Sequence, residues 1–402
     1  TMNKKVVLAY SGGLDTSVAI PYLSEQGYEV IAIAVDIGQD GDLRDAIDRA
    51  PKLGAAEARL VDAKKEYVDG YVMPALMMNA LYQDRYPLVS ALSRPLIAKV
   101  LVEVAGETGA IAVAHGCTGK GNDQVRFEVS LGALAPEIEV LAPVRDWGMS
   151  RDETIAYAQE RGLPITTTKA SPYSIDENLW GRSIECGVLE NPWASPPEEI
   201  YALTSSPSDA PGESQDVEVS FESGVPVAVD GERLSPLNLI ESLNKIVGGY
   251  GYGRIDLVED RLVGIKSREI YEAPAALALI AAHRDLETLT LERQFAREKR
   301  RMDSLWADLA YQGLWFTPLK QAAEAFAATT ASAVTGEVRL RLSAGGCLPV
   351  ARRGPSSLYD EGLATYADAD AFNHADAAGF VRLWGLPAKQ WAKVHGTGPE
   401  SH

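Results

Sequence analysis

Short apolar runs alternate with helical patterns over roughly the first 165 residues. The runs at 6–9, 28–35 and 111–114 predict buried parallel strands, because such strands are covered on both faces, and 58–62 predicts a further short strand. Helices are predicted at 15–26, 42–53, 66–81 and 96–108, the third one broken at Pro74. Residues 141–143 close this first unit, and the capping box of Ser150 and Glu153 predicts a helix over 151–161. This alternation predicts an α/β fold with a doubly wound parallel sheet.

The pattern changes after residue 165. Residues 216–221 and 225–229 alternate between apolar and polar, which predicts antiparallel hairpins. Helices are predicted at 236–247 and over most of 274–331, and a last hairpin pairs 338–342 with 348–351. The polar stretch 172–183 has no clear period, and its plainest interpretation is a solvated loop. The second part is therefore predicted to be an α+β domain.

The end of the chain is unusually apolar. Phe380, Leu383, Trp384, Leu386 and Trp391 follow one another closely. An apolar surface of that kind typically marks a subunit contact, so we interpret 376–402 as an oligomerisation arm. The alternative is that the arm packs back on its own domain. We divide the chain into domains at 1–165, 166–375 and 376–402.

Composition limits the possible partners. The 402 residues carry a formal net charge of -18, which disfavours sequence-independent nucleic-acid binding. The basic run 297–301 is interpreted as a solvated helix face, since acidic residues lie beside it. Cys117, Cys186 and Cys347 are far apart and form no C-x-x-C pair, so neither a disulfide framework nor a zinc site is predicted. We expect a cytoplasmic protein with no membrane span and no signal-type leader.

The first predicted strand runs directly into Ser11-Gly12-Gly13, and a helix follows. Adjacent glycines let backbone N–H groups point into one hollow at the positive end of that helix. The stretch is therefore suited to bind an anion, and we predict that this anion is a phosphate. It matches neither the Walker pattern nor the dinucleotide fingerprint.

A second loop, 115–127, follows the fourth predicted strand and contains glycines together with Asn122, Asp123 and Arg126. Because the carboxyl ends of parallel strands share one sheet edge, we expect both loops to contribute to one ligand site. Val35 ends the second strand and either offers backbone groups to an adenine ring or simply ends the strand. The segment 82–90 either covers the core or lines a pocket.

These residues carry a resemblance. The Ser-Gly-Gly-x-Asp-Thr/Ser pattern at 11–16 resembles the pyrophosphate loop of N-type ATP pyrophosphatases. Together with 115–127, 176–179, 254–259 and 264–271, it resembles the argininosuccinate synthase family over nearly the whole chain. The resemblance implies an adenine nucleotide alpha hydrolase-like ATP domain and a synthetase domain. It also implies the ATP-dependent joining of citrulline and aspartate through citrullyl-AMP, Mg²⁺ as cofactor, a role in arginine biosynthesis and a homotetramer.

The resemblance also assigns residues to the substrates. For ATP they are Ala9, Tyr10, Ser11, Gly12, Gly13, Leu14, Asp15, Thr16, Ser17, Val35 and Gly116. For aspartate they are Thr118, Asn122 and Asp123, and for citrulline they are Tyr86, Ser90, Asn122, Arg126, Ser174, Ser183, Glu259 and Tyr271. Relatives can carry a hydroxyl residue where this chain has Ala91, which leaves open whether Ser90 replaces that contact. No general acid or base and no protein ligand for a metal is assigned.

Two other hypotheses are weaker. One is a different N-type ATP pyrophosphatase, such as an amide-forming synthetase or a tRNA-thiolating enzyme. The chain begins with no glutamine-hydrolysing nucleophile and places no cysteine pair for sulfur transfer. The other is a regulator that binds ATP without turnover, which would leave 172–183 and 254–271 without a substrate.

Overall fold

A five-stranded parallel sheet organises the first part of the chain. We analysed a computed structural model, which describes residues 4–164, 172–367 and 370–396. The strands are β1 (Lys4–Ala9), β2 (Tyr28–Asp36), β3 (Glu57–Asp62), β4 (Ala112–Ala114) and β5 (Glu139–Leu141). Their order is β3-β2-β1-β4-β5, and every pair is parallel. The predicted parallel sheet is confirmed, and its last strand ends at Leu141, where the segment that closes the first unit begins.

The three central strands of this sheet, β2, β1 and β4, are buried on both faces, as their apolar runs predicted, whereas the edge strands β3 and β5 are only partly covered. Val7 of β1 packs into one core with Ile31 and Ile33, whereas Val6 and Leu8 pack into another on the opposite face. The side chains of one strand alternate between faces, so a strand covered on both sides is apolar at every position. The larger core also contains residues from later in the chain, such as Trp306, and it therefore joins the sheet to the second part of the molecule.

Helices cover the sheet. They are α1 (Leu14–Glu25), α2 (Leu43–Arg49), α3 (Lys64–Tyr67), α4 (Met73–Met77), α5 (Val89–Thr108), α6 (Asp123–Leu134), α7 (Pro143–Trp147) and α8 (Arg151–Glu160). The helix predicted at 42–53 is α2 followed by a 3₁₀ turn, Ala50–Leu53. The capping box of Ser150 and Glu153 is present at the start of α8.

Two helix predictions were wrong in their bounds. The predicted helix 66–81 is α3, a π-helical turn over Val68–Val72, and α4, which begins just before Pro74. The predicted helix 96–108 begins at Val89 and includes Pro95. Twelve side chains of α5 are buried, and packing on this scale stabilises a helix despite the hydrogen bond that a proline removes.

The second part contains two further sheets. One has the order β11-β12-β7-β6 and the other β10-β9-β8-β13-β14. The strands are β6 (Ser174–Asn178), β7 (Gly181–Glu185), β8 (Gln215–Glu222), β9 (Val225–Val229), β10 (Glu232–Arg233), β11 (Arg254–Asp260), β12 (Lys266–Glu272), β13 (Gly336–Ser343) and β14 (Gly346–Arg353). The helices are α9 (Pro236–Gly249), α10 (Pro274–Thr290), α11 (Arg293–Tyr311) and α12 (Pro318–Ala331). The predicted hairpins β8–β9 and β13–β14 are confirmed.

The interpretation of 172–183 as a solvated loop was wrong, because β6 and β7 form an antiparallel hairpin there. Trp180 at its turn is fully buried and donates a hydrogen bond from Nε1 to the carbonyl oxygen of Pro87 at 2.9 Å. Gly181 follows with a φ of +157°, and a Cβ there would lie 2.5 Å from the carbonyl oxygen of Glu272. The hairpin is therefore held by burial of its turn, which a search for alternating residues does not detect.

The basic run 297–301 is only partly solvated. Lys299 is buried, with 1% of its side chain exposed, and it pairs with Glu287 at 3.0 Å and with Asp303. Asn79 donates hydrogen bonds to both of these carboxylates. The interpretation as a solvated helix face was therefore wrong for Lys299, which needs these anions to balance its buried charge.

The described residues after Ser356 form one compact unit, and those up to Ser356 form another. The described helices of the smaller unit are α13 (Glu361–Ala364), α14 (His374–Trp384) and α15 (Leu386–His395). Phe380, Trp384 and Trp391 are exposed. The domain boundaries at 165 and 376, and the role of the arm as a subunit contact, stay predictions.

Candidate active site

The site lies at the switch point of the parallel sheet. β1 lies between β2 and β4, and the chain leaves β1 and β4 toward opposite sides, which opens a crevice beyond their carboxyl ends. A cavity of about 590 Å³ occupies this position. Its lining includes loops after β1 and β4 together with residues of β6, β7, β11 and β12. The two parts of the larger unit therefore share one site.

The glycine loop after β1 is held by its own hydroxyls. The Ser11 and Thr16 hydroxyls lie 3.1 Å apart, and the backbone N–H groups of Ser11 and Gly13 donate to Thr16 Oγ1 and Ser11 Oγ, each at 3.3 Å. Gly12 has a φ of +75°, and Gly13 precedes the first turn of α1. The loop therefore places oxygen donors and the positive end of a helix beside the cavity, an arrangement that suits an anion.

The second loop contacts the first. A Cβ at Gly116 would lie 2.8 Å from Thr16 Cγ2, so only glycine permits this approach without a shift. Behind Gly116, buried His115 accepts a hydrogen bond from the Cys117 N–H at its Nδ1, 3.2 Å away, and its Nε2 lies 3.2 Å from Glu128. Burial lowers the pKa of His115 and outweighs the opposing effect of Glu128. Neutral His115 thus fixes the loop after β4.

Asp123 lies between two guanidinium groups. Arg94 Nε and Arg126 Nη1 approach its two carboxylate oxygens at 2.9 and 2.8 Å, and Arg94 Nη2 also pairs with Asp176 at 2.6 Å. Burial alone would raise the pKa of Asp123, but the charges and hydrogen bonds of the two arginines outweigh it and lower the pKa to about 2. The carboxylate is therefore an anion at neutral pH and is already paired within the chain.

Tyrosines surround the carboxylate of Glu259. Its two oxygens accept hydrogen bonds from the hydroxyls of Tyr271 and, at 2.6 Å, Tyr311. The ring of Tyr86 stacks on that of Tyr271 with centroids 4.2 Å apart. Burial raises the pKa of Glu259, while the Tyr311 hydrogen bond and the charge of Arg126 act in the opposite direction. An ammonium group in the cavity would be a suitable partner for this carboxylate.

Arg261 connects several segments at the same end of the cavity. It pairs with Glu185 and Glu269 and donates from Nη1 to the carbonyl oxygen of Lys120 at 3.2 Å. Burial and the neighbouring Glu185 raise the pKa of Glu269. This cluster ties the loop after β4 to β7, β11 and β12.

The structure brings most predicted site residues to one cavity. Those that line it are Ala9, Tyr10, Ser11, Asp15, Thr16, Tyr86, Val35, Ser90, Gly116, Thr118, Asn122, Asp123, Arg126, Ser174, Ser183, Glu259 and Tyr271. Gly12, Gly13, Leu14 and Ser17 lie in or just behind the glycine loop and are not part of the lining. The assignment of each residue to a particular substrate stays a prediction.

Two alternatives that the sequence left open receive a geometric answer. Tyr86 is buried in the core and lines the cavity as well, so the segment 82–90 does both. Ser90 lines the cavity with its hydroxyl 3.5 Å from that of Ser183, whereas Ala91 is fully buried and is not part of the lining. Ser90 is therefore the residue whose position suits a ligand contact.

Sequence reasoning missed several charged residues of the lining, namely Arg94, Asp176, Glu185, Arg261 and Glu269. A signal existed for some of them. Arg94 is a lone charge among apolar residues, and Glu269 is two positions before Tyr271 on the same strand, where side chains share a face. Nothing in the sequence indicated that Glu185 would join them.

The switch-point cavity, the glycine loop and the open parallel sheet define a nucleotide-binding α/β protein. Comparison with known proteins narrows this class. Residues 5–164 match the arginosuccinate synthase N-terminal HUP domain, and residues 173–391 match the arginosuccinate synthase C-terminal domain. The chain belongs to the argininosuccinate synthase family.

Individual relatives agree along nearly their whole length. An argininosuccinate synthase of Halalkalibacterium halodurans is 56% identical, and the match covers 98% of this chain and 96% of the relative. One of Bacillus pumilus is 56% identical over 97% of this chain and 96% of the relative, and one of a Synechococcus species is 54% identical over 98% of each. A solved 4-thiouridine synthetase–RNA complex with bound ATP has a TM-score of 0.30 and 22% identity, covering 40% of this chain and 41% of that one, which is too low to support an argument.

Two searches of the described residues concern metals and membranes. Among residues 4–164, 172–367 and 370–396, no group of three or more His, Cys, Asp or Glu side chains is arranged to hold a metal ion. Within the same residues, no helix has both the length and the apolar character that crossing a bilayer requires.

Proposed function

We propose that this chain is an AMP-forming carbon–nitrogen ligase that joins citrulline and aspartate to give argininosuccinate, AMP and pyrophosphate in arginine biosynthesis. The observation that carries the proposal is the convergence of the glycine loop, the Asn122–Arg126 segment and the Glu259–Tyr271 pair on one cavity. These three groups come from distant parts of the sequence. The chain's membership of the argininosuccinate synthase family supports the same activity.

The reaction has two steps. The ureido oxygen of citrulline attacks the α-phosphorus of ATP, the bond to the β-phosphate oxygen breaks, and pyrophosphate leaves. The amine of aspartate then attacks the activated ureido carbon, AMP leaves with the oxygen that citrulline supplied, and the amine loses a proton. The protein contributes by holding three substrates in reactive positions and by stabilising charge on phosphate.

The charges of the cavity suit these substrates. The hydroxyls of Ser11 and Thr16 and the start of α1 lie where a triphosphate would need donors. Arg126 suits the citrulline carboxylate and Glu259 its ammonium group. Asp123 would have to share its carboxylate between Arg94, Arg126 and the ammonium group of aspartate.

Magnesium fits this site as a partner of the nucleotide. Mg²⁺ usually binds through one or two carboxylates and substrate phosphates, and it keeps several waters. Ser11, Asp15 and Thr16 line the cavity at the glycine loop, and their side chains carry oxygen atoms, the kind of ligand that Mg²⁺ prefers. When bound there, the ion would neutralise charge on the phosphates.

A sulfur-transfer reaction is poorly suited to the lining. Cys117 is the cysteine at the cavity, and burial together with the charge of Asp123 raises the pKa of its thiol. A thiol with a raised pKa is a weak nucleophile at neutral pH.

We also propose a homotetramer in the cytoplasm, without nucleic-acid partners, on the basis of the family and of the charge of -18.

The test is pyrophosphate release with ATP and Mg²⁺, with citrulline and aspartate each omitted in turn. We expect release to depend on citrulline and product formation to depend on both amino acids. Citrulline labelled with ¹⁸O in the ureido group should transfer the label to AMP. Pyrophosphate release independent of both amino acids, or AMP without label, would refute the proposal.

A further inference from the structure

One buried tyrosine outside the cavity lining connects three predicted substrate residues. Tyr311 ends α11 and is fully buried. Its hydroxyl donates to Glu259 Oε2 at 2.6 Å and accepts a hydrogen bond from Asn122 Nδ2 at 2.8 Å. Its backbone carbonyl accepts from Arg126 Nε at 2.9 Å. Asn122, Arg126 and Glu259 line the cavity from two separate segments. All three contact Tyr311, which is not part of the lining.

The direction of these hydrogen bonds is fixed. An amide nitrogen is only a donor, so the phenolic oxygen accepts from Asn122 and its single proton goes to an acceptor. Two acceptors lie within reach, Glu259 Oε2 at 2.6 Å and the carbonyl oxygen of Asp260 at 3.2 Å, and the nearer, charged carboxylate takes the proton. Burial and the charge of Glu259 raise the pKa of Tyr311, so the hydroxyl keeps its proton at neutral pH. The other end of the Asn122 amide accepts from the Leu262 N–H at 2.9 Å. Asn122 therefore has one defined amide orientation.

The ring of Tyr311 is also fixed in place. The Arg126 guanidinium carbon lies 4.8 Å from the ring centroid, at a cation–π distance. Tyr82 stacks against the ring. Two residues later, Gly313 has a φ of +76°, and a Cβ there would lie 2.8 Å from the Cα of Arg126. The end of α11 thus lies directly against α6, and small movements of Tyr311 would be transmitted to Arg126.

We propose that Tyr311 is a positioning residue for the amino-acid subsite that citrulline occupies. Its hydroxyl sets the geometry of Glu259 and Asn122, and its carbonyl sets that of Arg126, so that an ammonium and a carboxylate can be bound at a fixed separation. This inference rests on the proposed function. It adds a residue that touches none of the substrates but determines how well one of them binds.

The test variant is Tyr311→Phe, which removes the hydroxyl and leaves the ring and the carbonyl. We expect the KM for citrulline to rise about tenfold, the size typical of a lost hydrogen bond to a charged group. We expect the KM for ATP to change by less than about twofold and kcat by less than about threefold, because the glycine loop is not touched. Initial rates of pyrophosphate release, with each substrate varied in turn, give these constants.

Tyr250→Phe is the matched control. Tyr250 is another largely buried tyrosine, and its hydroxyl lies 3.4 Å from Gln215 Oε1, away from the cavity lining. We expect its three KM values to equal those of the wild type. A second measurement uses Glu259→Gln with and without Tyr311→Phe. Because Tyr311 acts partly through Glu259, the double variant should lose less citrulline affinity than the two single losses combined.

The outcomes separate the two proposals. An active wild type with an unchanged citrulline KM in Tyr311→Phe overturns the positioning role alone. An equal rise of all three KM values, with a lower melting temperature, also overturns it, since that pattern is one of general structural damage. A wild type that needs neither amino acid refutes the proposed function itself. Should Tyr311→Phe not fold, 4-fluorophenylalanine at position 311 fills the space of the hydroxyl but cannot donate to Glu259, and an unchanged citrulline KM would overturn the role.

Discussion

Gly12 is the position in the glycine loop where the structure allows the sharpest test. A Cβ added there would lie 2.6 Å from the Cβ of Ala46, in α2, and the φ of +75° disfavours any side chain. Ala46 is itself buried, with 4% exposed, and has no flexible end that could move aside. Gly12→Ala therefore combines an unfavourable backbone conformation with a steric overlap.

The two costs can be separated. A left-handed conformation costs a residue with a side chain about 1–2 kcal/mol, and overpacking a buried contact costs about 1–3 kcal/mol. Gly12→Ala should therefore lower the free energy of unfolding by about 2–5 kcal/mol. Gly27 has a similar φ of +89° and nothing within 4 Å of an added Cβ. Gly27→Ala should lose only the backbone part, about 1–2 kcal/mol.

Equilibrium unfolding in urea measures the stability of both variants. The ATP dependence of pyrophosphate release gives the KM for ATP, which reports on the glycine loop. We expect Gly12→Ala to be the less stable by about 1–3 kcal/mol and to show a raised KM for ATP, because the loop must move away from Ala46. Gly27→Ala should retain the wild-type KM. Equal stability losses and equal KM values in the two variants would refute this account of the glycine loop.

Three further substitutions probe the buried charges. Asp123→Asn should raise the KM for aspartate more than that for citrulline. Asp123→Asn should also lower the free energy of unfolding at pH 7 by about 2 kcal/mol, because the pKa of Asp123 is about 2 in the folded state against the ordinary 3.8. This contribution of the carboxylate to stability is fully present above pH 4 and is lost as the pH falls through 2. Urea unfolding at pH 7 and near pH 2 checks this, and an undiminished difference at low pH would contradict it. Arg126→Lys should raise the KM for citrulline, because a lysine ammonium group cannot contact both Asp123 and the Tyr311 carbonyl as the guanidinium does. An unchanged KM for citrulline would contradict this expectation. Glu272→Gln should lower the free energy of unfolding in urea by about 3–5 kcal/mol, because this fully buried carboxylate accepts from three backbone N–H groups and pairs with the guanidinium of Arg182. The matched control Glu222→Gln removes an exposed carboxylate that pairs with Arg233, and its effect should be far smaller. Similar losses in the two glutamine variants would refute this difference.

The parallel sheet was predictable because its three central strands are apolar on both faces. β1, β2 and β4 could be predicted from local sequence alone, because a strand that is covered on both faces is apolar at consecutive positions. The loops after β1 and β4 were predictable for a related reason. Strand direction alone brings their polar residues to one edge.

The other half of the site was harder to predict from residue patterns. The β6–β7 hairpin owes its position to the burial of Trp180 against the segment before α5, a contact between residues far apart in sequence. Lys299 was interpreted as solvated because its acidic partners Glu287 and Asp303 lie on a neighbouring helix and further along its own. Tyr311 gave no signal, because its role depends on three contacts of long sequence separation.

The Asn122 amide has consequences for chimeric enzymes. Its oxygen accepts a hydrogen bond from the Leu262 backbone N–H, and its nitrogen donates one to the Tyr311 hydroxyl. A side chain of the first family region is therefore oriented by two residues of the second family region. A chimera could join the first family region of one homologue to the second family region of another. Each region would then keep its own fold, but the contacts among Asn122, Leu262 and Tyr311 could be mismatched. Successful hybrids should therefore be those in which the trio is inherited together.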